Sequence, residues 1–502
     1  DNGCQEGCCD SEFQGVVEEC WSSAVLTGVA SGSTNDISVG GIAGASSGGQ
    51  IENCYNTGYV SGQNSQGGIV GLFAGNSKNV LVRNCYNAGT GCSSIVGTVH
   101  ADATGAKLEH CVSLEGSELC DTPNGLQMAD CVELSLPDLR GYSANLTDAF
   151  AEDYFVHNEM LPVLAWENQG RTTSLRVVDG VYQIKCADDL RLLSYTVRKG
   201  TTYSGKKLEL RADIDLEDKA WLPIGGYDGT KYYYFKGSFD GRGYTISNIY
   251  VNTTNNYIGL FGLTNGASIK NIGIDSGAII GYDNVGGIIG STGANTTISN
   301  CYNKATVVGN NYIGGITGQL AGKNCVMENC YNVGHISGKN IGNCTGGLIG
   351  RTNASATDAK IRNCYNVGHY YGIIGIASAT ATGTVENCYA VGGIRPIKTQ
   401  SSLSVTETML ISGSALREYV PVLGSAFDED REGKNEGYPV LAWESGKVCF
   451  HEYVISSNGE DSHITACFRC GDSTTESHKW NEGSTVTNPG CDASGSKEYT
   501  CT

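Results

Sequence analysis

The chain has 502 residues, of which 70 are glycine and 8 proline; 40% are apolar, 17% are charged, and the formal net charge is −19. Periodic apolar positions exclude a disordered tail, glycine without a three-residue period excludes collagen, and acidity without Lys/Arg stripes excludes a nucleic-acid partner. No run of about 18 apolar residues exists, so no segment is expected to span a membrane.

The chain starts at Asp1 and reads as a trimmed piece of something longer. Cys4, Cys8 and Cys9 open it, and from Val16 two short phrases alternate. Asn-Cys-Tyr-Asn is complete at Asn53–Asn56, Asn84–Asn87, Asn300–Asn303, Asn329–Asn332 and Asn363–Asn366, with looser copies at Glu19–Ser22, His110–Ser113 and Asn387–Ala390. A glycine phrase, Gly-Gly-x-x-Gly with a branched residue third, stands at Gly40–Gly44, Gly67–Gly71, Gly286–Gly290, Gly314–Gly318 and Gly346–Gly350. A repeat of roughly 24 to 34 residues marks one coil of a solenoid, a unit unable to bury its own apolar face.

In Ile51-Glu52-Asn53-Cys54 a straight strand would point Ile51 and Cys54 to opposite faces. Both are apolar, so the chain is expected to bend at Asn53, because Asn tolerates the left-handed conformation. Stacked coils then form an Asn ladder at the corner and a Cys ladder inside. The glycine phrase supplies a second wall strand with tight corners. The expected fold is all-β: a right-handed parallel β-helix (β-solenoid) in two modules with short helical caps, plus a small Cys/His-rich C-terminal module.

The first module spans residues 1–134, with its opening missing, and a cap and linker span 135–170. Phe150-Ala151-Glu152-Asp153 leading to Leu161–Glu167 reappears as Phe427-Asp428-Glu429-Asp430 leading to Tyr438–Glu444, so one closing phrase serves two module ends. End coils need such covers, because they expose core and strand edges. The second module spans 171–395, opened by a strand and a short helix at Tyr182–Leu190. Its cap spans 396–447, and a truncated Cys/His module spans 448–502.

Eight of the 22 cysteines (Cys20, Cys54, Cys85, Cys111, Cys301, Cys330, Cys364 and Cys388) take the repeat position and read as a structural ladder. Disulfide or metal candidates are Cys4, Cys8, Cys9, Cys120, Cys131 and Cys449. In the tail, Cys467, Cys470, His478, Cys491 and Cys501 form an incomplete zinc pattern, with a disulfide and free thiols as the alternatives.

Tyr55, Tyr86, Tyr302, Tyr331, Tyr365 and Tyr389 follow the ladder cysteines and should point outward. They are the candidate ligand-binding stripe for a sugar or a protein, against the alternative of a structural ladder. His335 and His369 could form a metal pair or be plain surface residues. Asp213 with Asp215, and Asp428-Glu429-Asp430, are calcium candidates against turn and capping roles. Glu52 and Arg83, like Glu328 and Arg362, should pair across coils. No catalytic triad, phosphate loop or nucleotide fingerprint is present.

Gly347-Leu348-Ile349-Gly350, with Ala212–Leu216, Trp221–Gly225 and Phe235–Ile246, is similar to the GLUG-motif family. The resemblance covers roughly residues 16–166 and 175–447. It implies a β-solenoid from a secreted or wall-attached bacterial protein, of the kind also found beside the catalytic domain of IgA-specific metalloproteases. It implies no peptidase activity, since the zinc helix His-Glu-x-x-His is absent: His451-Glu452 runs into Tyr-Val-Ile. The tail resembles small Cys/His modules of Gram-positive surface proteins. The expectation is a non-enzymatic extracellular scaffold that binds a carbohydrate or protein and self-associates, with no firm cofactor. The alternative is the non-catalytic substrate-binding region of a secreted carbohydrate-active enzyme or peptidase.

Overall fold

A computed structural model describes residues 15–29, 37–92, 94–339, 344–368, 372–392, 395–397, 402–451, 453–457, 462–467, 472–477, 484–487 and 496–498. Cys4, Cys8, Cys9, His369, Cys470, His478, Cys491 and Cys501 lie outside the described residues. The described chain is almost entirely β-structure with a few short helices, and its walls are parallel, so the expected β-solenoid is what forms.

The chain divides into two compact units. The first comprises Asp1–Leu175, Asp188–Gly200 and Tyr227–Tyr232. One wall stacks Val16–Glu18, Gln50–Glu52, Leu81–Arg83, Lys107–Glu109 and Gln127–Ala129, in the register Val17, Ile51, Val82, Leu108, Met128. The next wall stacks Trp21–Ser22, Tyr55–Asn56, Tyr86–Asn87, Val112–Leu114 and Val132–Leu134. A third stacks Ala43–Ser46, Val70–Phe73, Val96–Val99 and Cys120–Pro123. Ile51, Ile69, Phe73, Val82, Ile95 and Leu108 meet between the walls, each burial stabilising by about 1.5–3 kcal/mol.

The second unit comprises Arg176–Ala187, Thr201–Gly226 and Tyr233–Thr502. Its first two walls belong to one 16-stranded sheet. Another wall stacks Phe261–Thr264, Ile289–Thr292, Thr317–Leu320, Ile349–Thr352 and Ile374–Ala377. The strand Val181–Ile184 enters this unit in parallel with Lys207–Leu210; the helix Ala187–Arg198 that follows it in sequence belongs, from Asp188 onward, to the first unit. Strands turn antiparallel at the closing segments, where Phe150–Ala151 pairs with Val163–Leu164 and Phe427–Asp428 with Val440–Leu441.

The corner is as expected. Asn53, Asn84, Asn300, Asn329, Asn363 and Asn387 all adopt left-handed φ values between 51° and 54°. Ile51 and Cys54 on either side are both buried. Glu19 and His110 take the same conformation in the looser copies, and so does Asp130 outside any of them. Asp130 therefore marks a coil that the Asn-Cys-Tyr-Asn pattern does not reveal.

Candidate functional site

Seven of the eight ladder thiols are buried, and each donates to the carbonyl two residues back: Cys54 to Glu52 at 3.1 Å, Cys301 to Ser299 at 3.1 Å, Cys364 to Arg362 at 3.0 Å and Cys388 to Glu386 at 3.2 Å among them. The Asn corner turns that carbonyl toward the sulfur. The eight ladder cysteines are free thiols, and burial pushes those of Cys85, Cys330 and Cys388 well above the ordinary range. Cys20, at the first described coil, is exposed. Cys120 and Cys131, expected as disulfide or metal candidates, are free as well. Cys131 follows the Asp130 corner and donates to Ala129 at 3.4 Å, so it extends the ladder.

Two Asn ladders run beside it. The corner amides link coil to coil, Asn329 to Asn300 at 3.0 Å and Asn387 to Asn363 at 2.8 Å. The second Asn of each phrase forms a fully buried ladder that the pattern reading missed: Asn303 donates to Asn332 at 2.9 Å and Asn332 to Asn366 at 3.0 Å. The expected cross-coil ion pairs form, Arg83 with Glu52 at 2.8 Å and Arg362 with Glu328 at 2.6 Å.

The tyrosines leave the wall on its outer face, but they are not exposed. Tyr55, Tyr86, Tyr302, Tyr331, Tyr365 and Tyr389 retain 2% exposure or less, which corrects the expectation of an open stripe. The reason is that each closing segment folds back over the ladder. Tyr55 and Tyr86 stack at 5.0 Å, Tyr302 and Tyr331 at 5.0 Å, and Tyr331 and Tyr365 at 4.9 Å. Phe150, Leu161 and Leu164 cover the first set, and Leu416, Leu423, Phe427 and Leu441 the second.

The two closing segments hold their ladders by the same bonds. In the first unit Tyr86 donates to the Pro162 carbonyl and accepts from Asn158 at 2.8 Å. In the second, Tyr365 donates to the Pro439 carbonyl and accepts from Asn435 at 2.7 Å. Asp153 accepts from the backbone N–H of His157, Asn158 and Met160, and Asp430 from those of Lys434, Asn435 and Gly437. Tyr55 donates to Glu167 at 3.1 Å, and Tyr331 to Glu444 at 2.8 Å. The Leu164 and Leu441 amides donate to the same carboxylates, each at 2.7 Å.

Burial raises both carboxyls, and Glu444 is pushed up to about 7, opposed by the Leu441 N–H and by Lys304 at 4.0 Å. Lys304 also reaches Asp275 at 3.2 Å, and Asp275 accepts from Tyr302 at 2.6 Å. Trp443 stacks on Tyr302 at 5.6 Å. Its counterpart Trp166 is 48% exposed, as is Trp21 at 44%. Trp21 stacks on Tyr55 at 6.0 Å.

The remaining candidates fall as follows. Asp213 accepts from the backbone and hydroxyl of Thr245, and Asp215 from Glu217 N and Asn248. Asp428 accepts from Ser445 at 2.9 Å and Asp430 clamps its loop, so these carboxylates act in turns. His335 is exposed. In the tail, Cys467 is brought to Cys449 and His451, with ligand atoms all within 4.8 Å of one another.

The family model described as the GLUG motif matches residues 35–61, so the chain carries that motif. Halomucin of Haloquadratum walsbyi is 31% identical over 150 residues, covering 28% of this chain and 2% of halomucin. The chain therefore spans a very small part of that relative. A crystal structure of a proposed immunoglobulin A1 protease from Bacteroides ovatus aligns over 55% of this chain and 95% of its own, at 22% identity and a TM-score of 0.36.

Proposed function

We propose that the chain is a non-catalytic, extracellular or cell-surface repeat scaffold that presents a binding surface. The observation that carries this reading is where the repeated residues are used. Cys, Tyr and both Asn of each phrase are consumed by coil-to-coil and cap contacts. Chemistry on a wall needs titratable groups converging on a cleft, whereas Glu52–Arg83 and Glu328–Arg362 neutralise each other across coils. The GLUG motif and the likeness to halomucin support a surface location.

With the ladder tyrosines covered, Trp21 and Trp166 are exposed aromatic rings of the first unit, as are Tyr59 and Tyr232, and the two tryptophans are assigned to a sugar ring or a partner protein. Self-association through strand edges belongs to the same proposal. Antibody labelling of intact cells tests the location; labelling confined to lysed cells rejects it. A glycan array with wild type, Trp21→Ala and Trp166→Ala tests the surface, and electron microscopy of the native material tests for fibres. Cleavage of a captured ligand by the full-length parent protein would move the reading to the substrate-binding region of a secreted enzyme.

A further inference from the structure

The segment after the second closing phrase carries Cys449 and His451, and an antiparallel hairpin of Tyr453–Ser457 with Ser462–Cys467 follows it. The register pairs Tyr453 with Cys467, so the hairpin returns the chain to its own start. That brings Cys467 back to Cys449 across 17 intervening residues, a closeness that sequence spacing does not announce. The two sulfurs stand 3.7 Å apart. A disulfide needs about 2.05 Å, whereas two thiolates on one tetrahedral zinc at about 2.3 Å each are separated by about 3.8 Å. The His451 ring joins them, all three ligand atoms lying within 4.8 Å of one another. Its Nδ1 stands 3.9 Å from an Asp472 carboxylate oxygen, which places a negative charge beside the cluster.

We propose that Cys449, His451 and Cys467 form a zinc site that ties the C-terminal hairpin to the end of the second solenoid unit. The ligand set is thiolate and imidazole, which selects zinc over calcium or magnesium. Three protein ligands leave one tetrahedral position for water or a further thiolate. The site also has an anchor: the His451 carbonyl accepts from Arg242 at 3.3 Å, and the Arg242 guanidinium lies 5.9 Å from the Phe450 ring centroid. Residues 449–451 are therefore fixed to a coil of the second unit, and the metal would fasten the hairpin to that fixed segment. This stands apart from the surface-scaffold reading, because either can fail without the other.

The test is a cobalt(II) titration of the reduced full chain, followed by absorption. The expected result is one equivalent bound with the charge-transfer and d–d bands of tetrahedral thiolate coordination, displaced by zinc. Cys449→Ser and Cys467→Ser abolish the bands, and His451→Ala weakens binding by about tenfold or more. No thiolate bands, or bands unchanged in Cys449→Ser, overturn the proposal. A second measurement needs no variant: zinc should protect Cys449 and Cys467 of the wild type from alkylation, read residue by residue by mass spectrometry. Equal alkylation with and without zinc, or a Cys449–Cys467 disulfide in the native material, overturns it.

Discussion

The side chain of Asn332 lies directly against the backbone of Gly315: a methyl group built on that glycine would come within 2.2 Å of Asn332 Cγ. The same contact recurs between Gly68 and Asn87 at 2.0 Å, Gly287 and Asn303 at 2.5 Å, and Gly347 and Asn366 at 2.2 Å. The two recurring phrases are thus halves of one packing device. A buried Asn ladder runs along one wall, and the facing glycines leave bare backbone for it. None of these glycines has a positive φ, so the requirement is for space rather than for conformation.

Gly315→Ala and Gly68→Ala should each destabilise their unit by about 1–3 kcal/mol, the cost of overpacking a close-packed interior. Gly48→Ala is the control, because its nearest neighbour, the Lys78 carbonyl, is 3.7 Å from the added methyl. Chemical denaturation of the three variants checks this. Equal stability of Gly68→Ala and Gly48→Ala would contradict the packing account.

Glu444 predicts a pH dependence. Its folded-state value of about 7 lies above the ordinary 4.3, so the folded state holds the proton more tightly than the unfolded chain. Its contribution is therefore fully present below about pH 4.3 and is lost as pH rises through about 7, by up to about 4 kcal/mol. Lys304 at 4.0 Å opposes the shift and Asp275 reinforces it. Melting temperatures measured from pH 5 to 8 should fall less steeply for Glu444→Gln than for wild type. Parallel curves would remove Glu444 as the cause.

Tyr365→Phe removes the donor to the Pro439 carbonyl and the acceptor for Asn435. Two buried polar groups lose their ladder partner, at a cost of about 2 kcal/mol. The closing segment should release before the coils do. Limited proteolysis should show earlier cleavage within residues 424–437 than in wild type, and Tyr86→Phe should act likewise on the first unit.

His110 holds a left-handed corner with φ 51°, where the regular repeats use Asn. His110→Asn should stabilise the first unit by about 0.5 kcal/mol, since Asn adopts this conformation more readily. It would also place an amide beside Asn84, which already bonds to Asn53 at 3.3 Å. The exposed pair His110–Asp130 at 3.8 Å is lost, and such pairs contribute little. A lower melting temperature for the variant would refute the corner argument.

Native-state alkylation should separate the ladder cysteines by coil. Cys20 is exposed and should react, while Cys330, Cys364 and Cys388 are buried and should stay unmodified until the protein unfolds. Mass spectrometry after timed iodoacetamide treatment reads this directly. Labelling of Cys364 at the rate of Cys20 would show that the ladder opens in the native state.

The coil itself was legible in the residues. Apolar Ile and Cys flanking a polar Asn cannot share a face of a straight strand, and the left-handed corner at Asn53 and its equivalents follows from that conflict. The closing phrases were legible too, because Phe150–Glu167 and Phe427–Glu444 repeat each other. Three things were decided only by the tertiary structure. The outward tyrosines became a buried ladder, because segments 74 to 113 residues further along fold back over them. The second Asn of each phrase faces a glycine that repeat identity alone does not assign to it. Cys449 and His451 reached Cys467 through a hairpin register. Local conformation is written in short runs of sequence, since it depends on each residue's own sterics. Burial and ligand clustering depend on which distant segment arrives, and that is settled by packing.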